Sequence, residues 1–174
     1  MTVVFIETKR LILRQFLERD FAPMKEMFSD PLTIEFLTIG RKRPSDADIW
    51  SGIAYTEGHR VLRGYSFFAV EEKATGSFVG RIGPLRPEGW PDLEVGWGLH
   101  PAHRGKGYAR EAALASIDWC FVRFQEQERV IHLIRPDNTF SANVAKSIGA
   151  QPNGNWKLPM GDDVVIWESR RSTR

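Results

Sequence analysis

The sequence has little cysteine, little net charge and no long apolar run, and each shortage excludes a class of protein. One cysteine, Cys120, in 174 residues cannot build an intrachain disulfide framework and suits a reducing compartment. A formal net charge of +2 is too small to indicate nucleic-acid binding. No run of about 18 apolar residues exists, and Glu7, Lys9 and Arg10 interrupt the segment where a signal peptide would be apolar. We therefore predict a non-exported, cytoplasmic protein without nucleic-acid or membrane partners.

The composition is that of one ordinary globular domain. Apolar residues make up 42% of the chain and charged residues 26%, and a chain of this length can bury a core without metals or disulfides. No internal repeat or low-complexity block divides the chain, and residues 169–174 are polar enough to be a solvated tail. The prediction is a single domain spanning residues 1–174.

Hydrophobic periodicity predicts a mixed α/β architecture. Two apolar, aromatic runs flank residues 72–75 in the manner of an antiparallel hairpin, whereas residues 31–44 are predicted to be irregular. A strand, a helix and a strand follow one another over residues 92–134, an order that normally gives parallel strands. The predicted strands are 10–16, 65–71, 76–85, 92–99, 130–134 and 163–167, and the predicted helices are 20–29, 45–63, 109–124 and 138–148.

The most informative stretch is the turn Arg104-Gly-Lys-Gly-Tyr-Ala109, which lies between a predicted strand and a predicted helix. Glycines beside cations at a helix start favour an anion, because the free N–H groups and the helix dipole are positive there. A P-loop needs Ser or Thr where Gly107 stands, and a dinucleotide fingerprint needs a small residue where Arg110 stands. The turn therefore predicts a phosphate-bearing ligand that is neither a nucleoside triphosphate nor a nicotinamide cofactor.

The strand before this turn places Glu94, Gly96 and Gly98 on one face, opposite a face of larger apolar residues. Glycine weakens a strand, so the pair indicates either a bulge or a ligand lying close against the backbone. A bulge would shift the alternation of side chains along this strand, so the face on which Glu94 lies depends on whether a bulge is present.

At this point the sequence resembles the GNAT superfamily of acyl-CoA-dependent N-acetyltransferases, whose Arg/Gln-x-x-Gly-x-Gly/Ala signature is met by residues 104–109. Thr8-Lys-Arg-Leu-Ile-Leu-Arg14 is similar to the family's opening strand, and Pro136-Asp-Asn-Thr-Phe-Ser141 is similar to its Asn-x-x-Ser helix. The combination covers nearly the whole chain and is most similar to the subgroup of ribosomal-protein N-terminal alanine and serine acetyltransferases. The resemblance implies a mostly antiparallel sheet of six or seven strands with a central parallel, splayed pair and about four helices.

The resemblance also implies how acetyl-CoA binds. Backbone N–H groups of the turn would hold the pyrophosphate, and the open edge of the preceding strand would pair with the pantetheine amides and polarise the thioester carbonyl. Asn138 matches the position whose side chain bonds the pantetheine arm. The implied cofactor-binding residues are Val95, Trp97, Leu99, Arg104, Gly105, Lys106, Gly107, Tyr108, Ala109 and Asn138.

Acetyl transfer needs a base for the amine and a proton for the leaving thiolate. Glu94 is the candidate base because it lies on the glycine-bearing face; the alternative is a surface carboxylate or an ion-pair partner of Arg81 or Arg104. Many family members have a Tyr acid in the helix after the Asn, but residues 144–147 read Val-Ala-Lys-Ser. Ser141, which matches the subgroup's Asn-x-x-Ser position, is the candidate acid, acting directly or through a bound water; its alternative is a hydroxyl bonded to the helix backbone. Because a thiol has a pKa of about 8.5, the thiolate can also leave without a dedicated acid.

We predict an enzyme that transfers the acetyl group of acetyl-CoA to a primary amine, either a protein N-terminus or a small molecule, by direct attack. The alternative, suggested by the missing Tyr, is a degenerate GNAT-like module that binds acyl-CoA without catalysis. No metal is predicted, because His100 and His103 lack a third ligand. His132 is predicted to be a packing or surface residue. Trp90 is the tryptophan predicted to line the slot in which the substrate binds. The identity of the acceptor and the choice between monomer and homodimer stay open.

Overall fold

The computed structural model describes residues 3–159 and 161–171 of the chain. These residues form eight strands and five α-helices, and none of the helices is long and apolar enough to cross a membrane. The strands are Val4–Glu7 (β1), Leu11–Arg14 (β2), Phe68–Glu72 (β3), Phe78–Leu85 (β4), Glu94–Leu99 (β5), Arg129–Ile134 (β6), Gln151–Lys157 (β7) and Asp163–Arg170 (β8). The helices are Phe21–Met27 (α1), Pro31–Leu37 (α2), Asp46–Arg63 (α3), Tyr108–Arg123 (α4) and Thr139–Ser147 (α5).

The strands form one sheet in the order β1-β2-β3-β4-β5-β6-β8-β7. Neighbouring strands are antiparallel except for β5 and β6, which are parallel and joined by the crossover helix α4. Their only register pair is Glu94 with Ile131, so the two strands diverge beyond that point. The divergence leaves a gap near the middle of the sheet, on the path from β5 into the turn before α4.

Helices cover both faces of the sheet. Tyr108 and Ala112 of α4 belong to a buried cluster with Phe68 of β3, whereas α1 and α3 contribute to a second cluster that contains Ala69. Phe68 and Ala69 are neighbours along one strand, and strand alternation sends their side chains to opposite faces. The sheet therefore separates the α4 layer from the layer of α1 and α3.

The predicted fold class is confirmed, although the described part of the chain has two more elements than expected at the sheet edges. The pattern predicts neither β1 nor β7. β7 is an edge strand whose residues are mostly exposed, and Pro152 and Gly154 within it weaken the sequence signal for a strand. Short or exposed edge strands lack the apolar alternation on which the prediction depends.

Helix α2 corrects the expectation that residues 31–44 are irregular. Asp30 caps the helix by accepting a first-turn backbone N–H at 2.9 Å, and Pro31 is tolerated because a first-turn N–H has no helical partner. The guanidinium of Arg135, just after β6, donates to the backbone carbonyl of Glu35 at 2.8 Å. This bond fixes α2 beside the gap between β5 and β6.

The expectation of a solvated tail over residues 169–174 is wrong for its first part. Ser169 and Arg170 belong to β8. The guanidinium of Arg171 donates to the carbonyls of Phe121 at 2.8 Å and Phe124 at 3.0 Å, at the end of α4. Residues 172–174 lie outside the described residues.

Candidate active site

The gap between β5 and β6 leaves one edge of β5 without a strand partner. The N–H of His100 donates to Val79 of the preceding strand at 2.8 Å, so every second residue back along β5 directs its backbone groups toward β4. The backbone groups of Trp97 and Leu99 point the other way, toward β6, which pairs with β5 only at Glu94. Their N–H and C=O groups can therefore pair with an extended ligand in the gap.

His132 of β6 fills the start of the gap. Its Nδ1 lies 2.7 Å from the carbonyl oxygen of Val95, and its Nε2 lies 3.0 Å from Ser169 Oγ. The ring also packs against Trp97, with centroids 4.9 Å apart. Burial lowers the pKa of His132 to about 4, so the ring is neutral at pH 7 and Nδ1–H is the donor to Val95. The packing role that the sequence left open is thus the one observed, and the side chain replaces a missing strand-to-strand hydrogen bond.

The turn before α4 presents six consecutive backbone N–H groups, from residue 105 to residue 110. Within the described residues none of them has an acceptor; Arg104 N–H donates to the preceding turn at 3.3 Å, and Glu111 N–H donates to Gly107 at 3.1 Å. Gly105 has φ 76° and Gly107 has φ 79°, a left-handed conformation that side chains with a Cβ disfavour. The result is an open set of donors at a helix N-terminus, which suits phosphate oxygens.

Side chains of the turn hold it against neighbouring elements. The Arg104 guanidinium donates to Asp30 at 2.6 Å and to Thr33 Oγ1 at 2.7 Å, at the start of α2. Tyr108 donates its hydroxyl hydrogen bond to Glu72 of β3. These two predicted cofactor residues therefore use their side chains within the protein, and Tyr108 offers a ligand its backbone N–H.

Two cavities meet at the gap. One of about 580 Å³ is lined by the turn, by the end of β5 and by α5. The other, of about 630 Å³, lies on the Glu94 side and is bounded by α2, α3, β4 and β6. Five of the residues that line the first cavity also line the second: Phe36, Leu37, Trp97, Asn138 and Ser141. We refer to the first as the turn cavity and to the second as the acceptor cavity.

Asn138 and Ser141 lie where the two cavities meet. Asn138 Oδ1 accepts the backbone N–H of Ser141 at 3.0 Å and caps α5. Within the described residues the Asn138 Nδ2 and the Ser141 Oγ have no hydrogen-bond partner, so both remain available to a ligand. The alternative that Ser141 Oγ bonds its own helix backbone is not observed.

Glu94 lies in the acceptor cavity at the start of the gap. Its carboxylate accepts the indole N–H of Trp90 at 2.6 Å and the backbone N–H of Leu133. Burial raises the pKa of Glu94 to about 7, although Trp90, Leu133 and the charge of Arg81 favour the ionised form. Neither Arg81 nor Arg104 is within 4.0 Å of this carboxylate, since Arg104 pairs with Asp30 instead. Glu94 is thus held by two N–H donors, with a pKa suited to taking a proton near neutral pH.

The glycines of β5 make room for protein side chains. A Cβ at Gly98 would lie 2.6 Å from Leu37 Cδ1, and one at Gly96 would lie 3.0 Å from Phe67 Cζ. The register between β4 and β5 runs without a shift from Glu94 to Leu99, so the bulge that these glycines could have indicated is not observed. The alternation that places Glu94 beside the two glycines holds.

Arg81 and Trp90 complete the acceptor cavity. Arg81 is a cation in the middle of the otherwise uncharged strand β4, and this interruption is the sequence signal that marks it. Trp90 lines the same cavity and packs edge-on against Trp156 of β7, with centroids 5.5 Å apart. Trp90 therefore connects the loop after β4 to the edge strand β7 and also donates a hydrogen bond to Glu94.

The single cysteine, Cys120, lines neither cavity. Cys120 is buried in a cluster between α4 and the central strands, and burial raises the pKa of its thiol to about 12. A thiol in that state is a poor nucleophile. Over residues 3–159 and 161–171 no group of three or more His, Cys, Asp or Glu side chains is placed to hold a metal ion.

Comparisons with known proteins agree with this geometry. Residues 10–151 match the family model described as an acetyltransferase (GNAT) domain. The uncharacterized protein YkkB of Bacillus subtilis (strain 168) is 32% identical over 169 residues, which make up 94% of this chain and 94% of that protein.

Solved structures share the fold. The acetyltransferase from Agrobacterium tumefaciens strain C58 has a TM-score of 0.83 and 24% identity, covering 98% of this chain and 95% of that one. Ribosomal-protein-S5-alanine acetyltransferase from Vibrio fischeri has a TM-score of 0.72 and 20% identity, covering 97% of this chain and 96% of that one. The predicted resemblance is confirmed, with a ribosomal-protein acetyltransferase among the structural neighbours. The chain belongs to the GNAT family of acetyl-CoA-dependent acetyltransferases.

Proposed function

We propose that this chain, acting as a single domain over residues 1–174, transfers the acetyl group of acetyl-CoA to a primary amine by direct nucleophilic attack. The observation that carries the proposal is Glu94, a carboxyl group of pKa about 7 that lies in the acceptor cavity, next to the junction with the turn cavity. An attacking amine must lose its proton near neutral pH, and a base is most effective there when its pKa is close to that pH.

Acetyl-CoA supplies the activated acyl group, and the turn cavity offers it several donors. The N–H groups of residues 105–110 suit the pyrophosphate. The open edge at Trp97 and Leu99 suits the pantetheine amides, which would pair with it as an added strand. Asn138 can donate through Nδ2 while its Oδ1 caps α5. The carbonyl of Val95 already accepts from His132, so Val95 marks the point where this edge begins.

The reaction has a place for each proton. The amine nitrogen bonds to the thioester carbon while Glu94 takes the amine proton, the carbon–sulfur bond breaks, and the thiolate takes a proton from Ser141 Oγ or from water. The backbone N–H groups of Trp97 and Leu99, which face the gap, stabilise the negative charge on the carbonyl oxygen. An α-amine with a pKa of about 8 needs less help than a lysine amine with a pKa of roughly 10. Glu94 therefore suits an α-amine or another weakly basic primary amine.

The acceptor is either a peptide N-terminus or a small-molecule amine. The acceptor cavity has a volume of about 630 Å³. Its volume lies within the usual range for small-ligand sites, roughly 300–1,000 Å³. The cavity therefore has room for a small amine or for the first residues of a peptide.

The test is an acetylation screen with purified full-length protein. Acetyl-CoA is incubated with N-terminal peptides and a small-amine library; thiol release and mass spectrometry report the products. We expect CoA release that depends on an amine, together with calorimetric binding of acetyl-CoA. Binding of acetyl-CoA without an acetylated product from any amine would instead support a module that binds acyl-CoA without catalysis, and no binding would refute both.

We expect Gly105→Ala to weaken CoA binding about tenfold, which corresponds to about 1.4 kcal/mol. Gly105 has φ 76° and open space where a Cβ would lie, so the added methyl group strains the turn and stands beside the N–H groups. Gly76→Ala is the matched control, since Gly76 has φ 71° and equally open surroundings but lies in the hairpin between β3 and β4. Calorimetry with CoA reads the affinity and thermal unfolding reads the strain. Equal losses of affinity in both variants would contradict a specific role for the turn.

A further inference from the structure

Arg81 is a cation of the acceptor cavity that has no anionic partner in the described part of the chain. No carboxylate oxygen among those residues lies within 4.0 Å of its guanidinium, and it makes no side-chain hydrogen bond there. Burial lowers the pKa of Arg81, and the only opposing influence is the charge of Glu94 at longer range. The group remains a cation nonetheless, since the ordinary pKa of a guanidinium is above about 12.

Aromatic rings hold the Arg81 guanidinium in place. Its Cζ lies 5.1 Å from the ring centroid of Phe67 and 5.5 Å from that of Phe28. Cation–π contacts of this kind use the faces of the planar group and none of its five N–H donors. The donors at the edge of the guanidinium are therefore left for a planar or tetrahedral anion, which guanidinium binds with two parallel hydrogen bonds.

The other charged groups of the cavity differ from Arg81. Arg135 donates to Glu35 at 3.1 Å and to Asp137 at 3.0 Å. Glu88 is almost fully exposed and pairs with Arg63 at 2.8 Å. Asp162 also lines the cavity, and it acts on the Arg135 side through its charge. The uncompensated positive charge of the cavity is thus at Arg81.

We propose that Arg81 binds a carboxylate of the acetyl acceptor, so that the substrate class is a primary amine that carries a carboxylate in the same molecule. This inference rests on the proposed function, because it assumes that the amine lies beside Glu94. Arg81 is then a specificity residue: it contacts the substrate away from the reacting atoms, and it offsets the cost of desolvating an anion inside the cavity.

Phe67 connects the two groups that would hold the acceptor. Glu94 and Phe67 both approach Gly96: a Cβ atom added at Gly96 would lie 3.4 Å from Glu94 Oε1 and 3.0 Å from Phe67 Cζ. The Phe67 ring also contacts the guanidinium of Arg81. Glu94 and Arg81 face the same side of the sheet from adjacent strands, and Arg81 pairs with Gly98, four residues along β5 from Glu94. An acceptor with its amine at Glu94 and its carboxylate at Arg81 would lie across Phe67.

The experiment compares acceptors that differ only in the anionic group. The panel contains ω-amino acids from 3-aminopropanoate to 6-aminohexanoate, each beside its carboxamide, aminoalkyl phosphates of matched length, and dipeptides as free acids and as C-terminal amides. We expect the wild-type kcat/KM for the best acid to exceed that for its amide at least tenfold. Arg81→Gln should abolish this ratio by raising KM for the acid at least tenfold while changing the value for the amide less than twofold.

Three variants separate charge recognition from folding. Arg81→Lys keeps the charge without the two-pronged geometry and should give an intermediate ratio. Arg123→Gln is the control, because Arg123 also lies over an aromatic ring, with its Cζ 5.6 Å from the centroid of Phe124, but lines neither cavity. It should behave as wild type. Equal wild-type kcat/KM for acids and amides, or an equal loss on both in Arg81→Gln, would overturn the proposal.

Two further outcomes are decisive. A preference for aminoalkyl phosphates over the carboxylates would reassign the anion and overturn the carboxylate. Absence of CoA release with every amine would refute the proposed function instead, and the Arg81 site would then be read from ligand-induced thermal shifts of the CoA-bound protein. A shift with the acids that is missing with the amides and missing in Arg81→Gln would support the carboxylate site, and identical shifts would overturn it.

Discussion

Replacing Glu94 with Gln is expected to lower kcat by roughly 10²–10⁴ at pH 7.5, the range typical of a lost general base. The amide keeps the size of the side chain and can still accept the Trp90 hydrogen bond, but it cannot take a proton. Wild-type kcat should rise with pH through a midpoint near 7, the pKa to which burial raises Glu94. The Gln variant should show no such limb. Initial rates of CoA release between pH 5.5 and 9 measure both effects.

The matched control for this substitution is Glu126→Gln, an exposed carboxylate in the loop after α4. It makes the same chemical change away from both cavities and should keep wild-type kcat and the same pH limb. An unchanged limb in Glu94→Gln would show that another group titrates near pH 7. A loss only in KM would show that Glu94 binds the amine without acting as its base.

The same substitution should change how the stability of the fold depends on pH. The folded-state pKa of Glu94 is about 7, against an ordinary value of 4.5 for a glutamate, so ionising Glu94 favours unfolding. The stability supplied by its protonated form is complete below about pH 4.5 and is lost as the pH rises through 7, by about 3 kcal/mol in all. Glu94→Gln should therefore gain about 3 kcal/mol in the free energy of urea unfolding relative to the wild type between pH 4.5 and pH 8, on top of a pH-independent cost for the N–H group that the Gln amide cannot accept.

In the half of the site proposed to hold the cofactor, the turn and its flanking elements could be predicted from the sequence because they depend on contiguous residues. The glycines at 105 and 107, the strand before them and the helix after them are read directly from local pattern. The Asn138 cap is equally local, since its partner Ser141 is three residues away. Local geometry of this kind is determined by backbone preferences that residue identities reveal.

The acceptor half could not be predicted in the same way. Arg81, Glu94 and His132 come from three different strands, and their proximity depends on the register of the sheet and on its divergence at one point. The close packing against Gly96 and Gly98 could not be predicted for the same reason, because Leu37 and Phe67 reach these glycines from elsewhere in the chain. Side-chain contacts of long sequence separation leave no local signature.

His132 gives the second large effect, which is an acid-dependent loss of stability. Burial holds its folded-state pKa at about 4, below the ordinary value of 6.5 for a histidine. The stability that comes from the neutral ring is therefore complete above pH 6.5 and is lost as the pH falls through 4. The loss should reach about 2 kcal/mol by pH 5 and about 3 kcal/mol by pH 4. The difference in the free energy of urea unfolding between the wild type and His132→Asn, followed from pH 8 to pH 4, measures this loss, because the opposite contribution of Glu94 is common to both proteins.

His132→Asn separates this titration from the hydrogen bond to Val95. The Asn amide can donate where Nδ1–H does, yet it does not titrate. The variant should lose about 1–3 kcal/mol at pH 8 from the smaller side chain, but its stability should fall less steeply than that of the wild type below pH 6.5. The contributions of carboxylates such as Glu94 are common to both proteins and cancel in the difference.

His132→Phe completes the comparison by filling the space without donating a hydrogen bond. It should also lack the acid-dependent loss, but it should leave the Val95 carbonyl unpaired at the start of the gap and cost roughly 1–3 kcal/mol at every pH for that reason. Since Val95 lies next to the edge proposed to bind pantetheine, this variant should bind CoA more weakly than His132→Asn at pH 8. Parallel profiles of unfolding free energy against pH for the wild type and both variants would show that protonation of the His132 ring does not cause the loss of stability in acid. Equal CoA affinities of the two variants would show that the hydrogen bond to Val95 does not shape the gap.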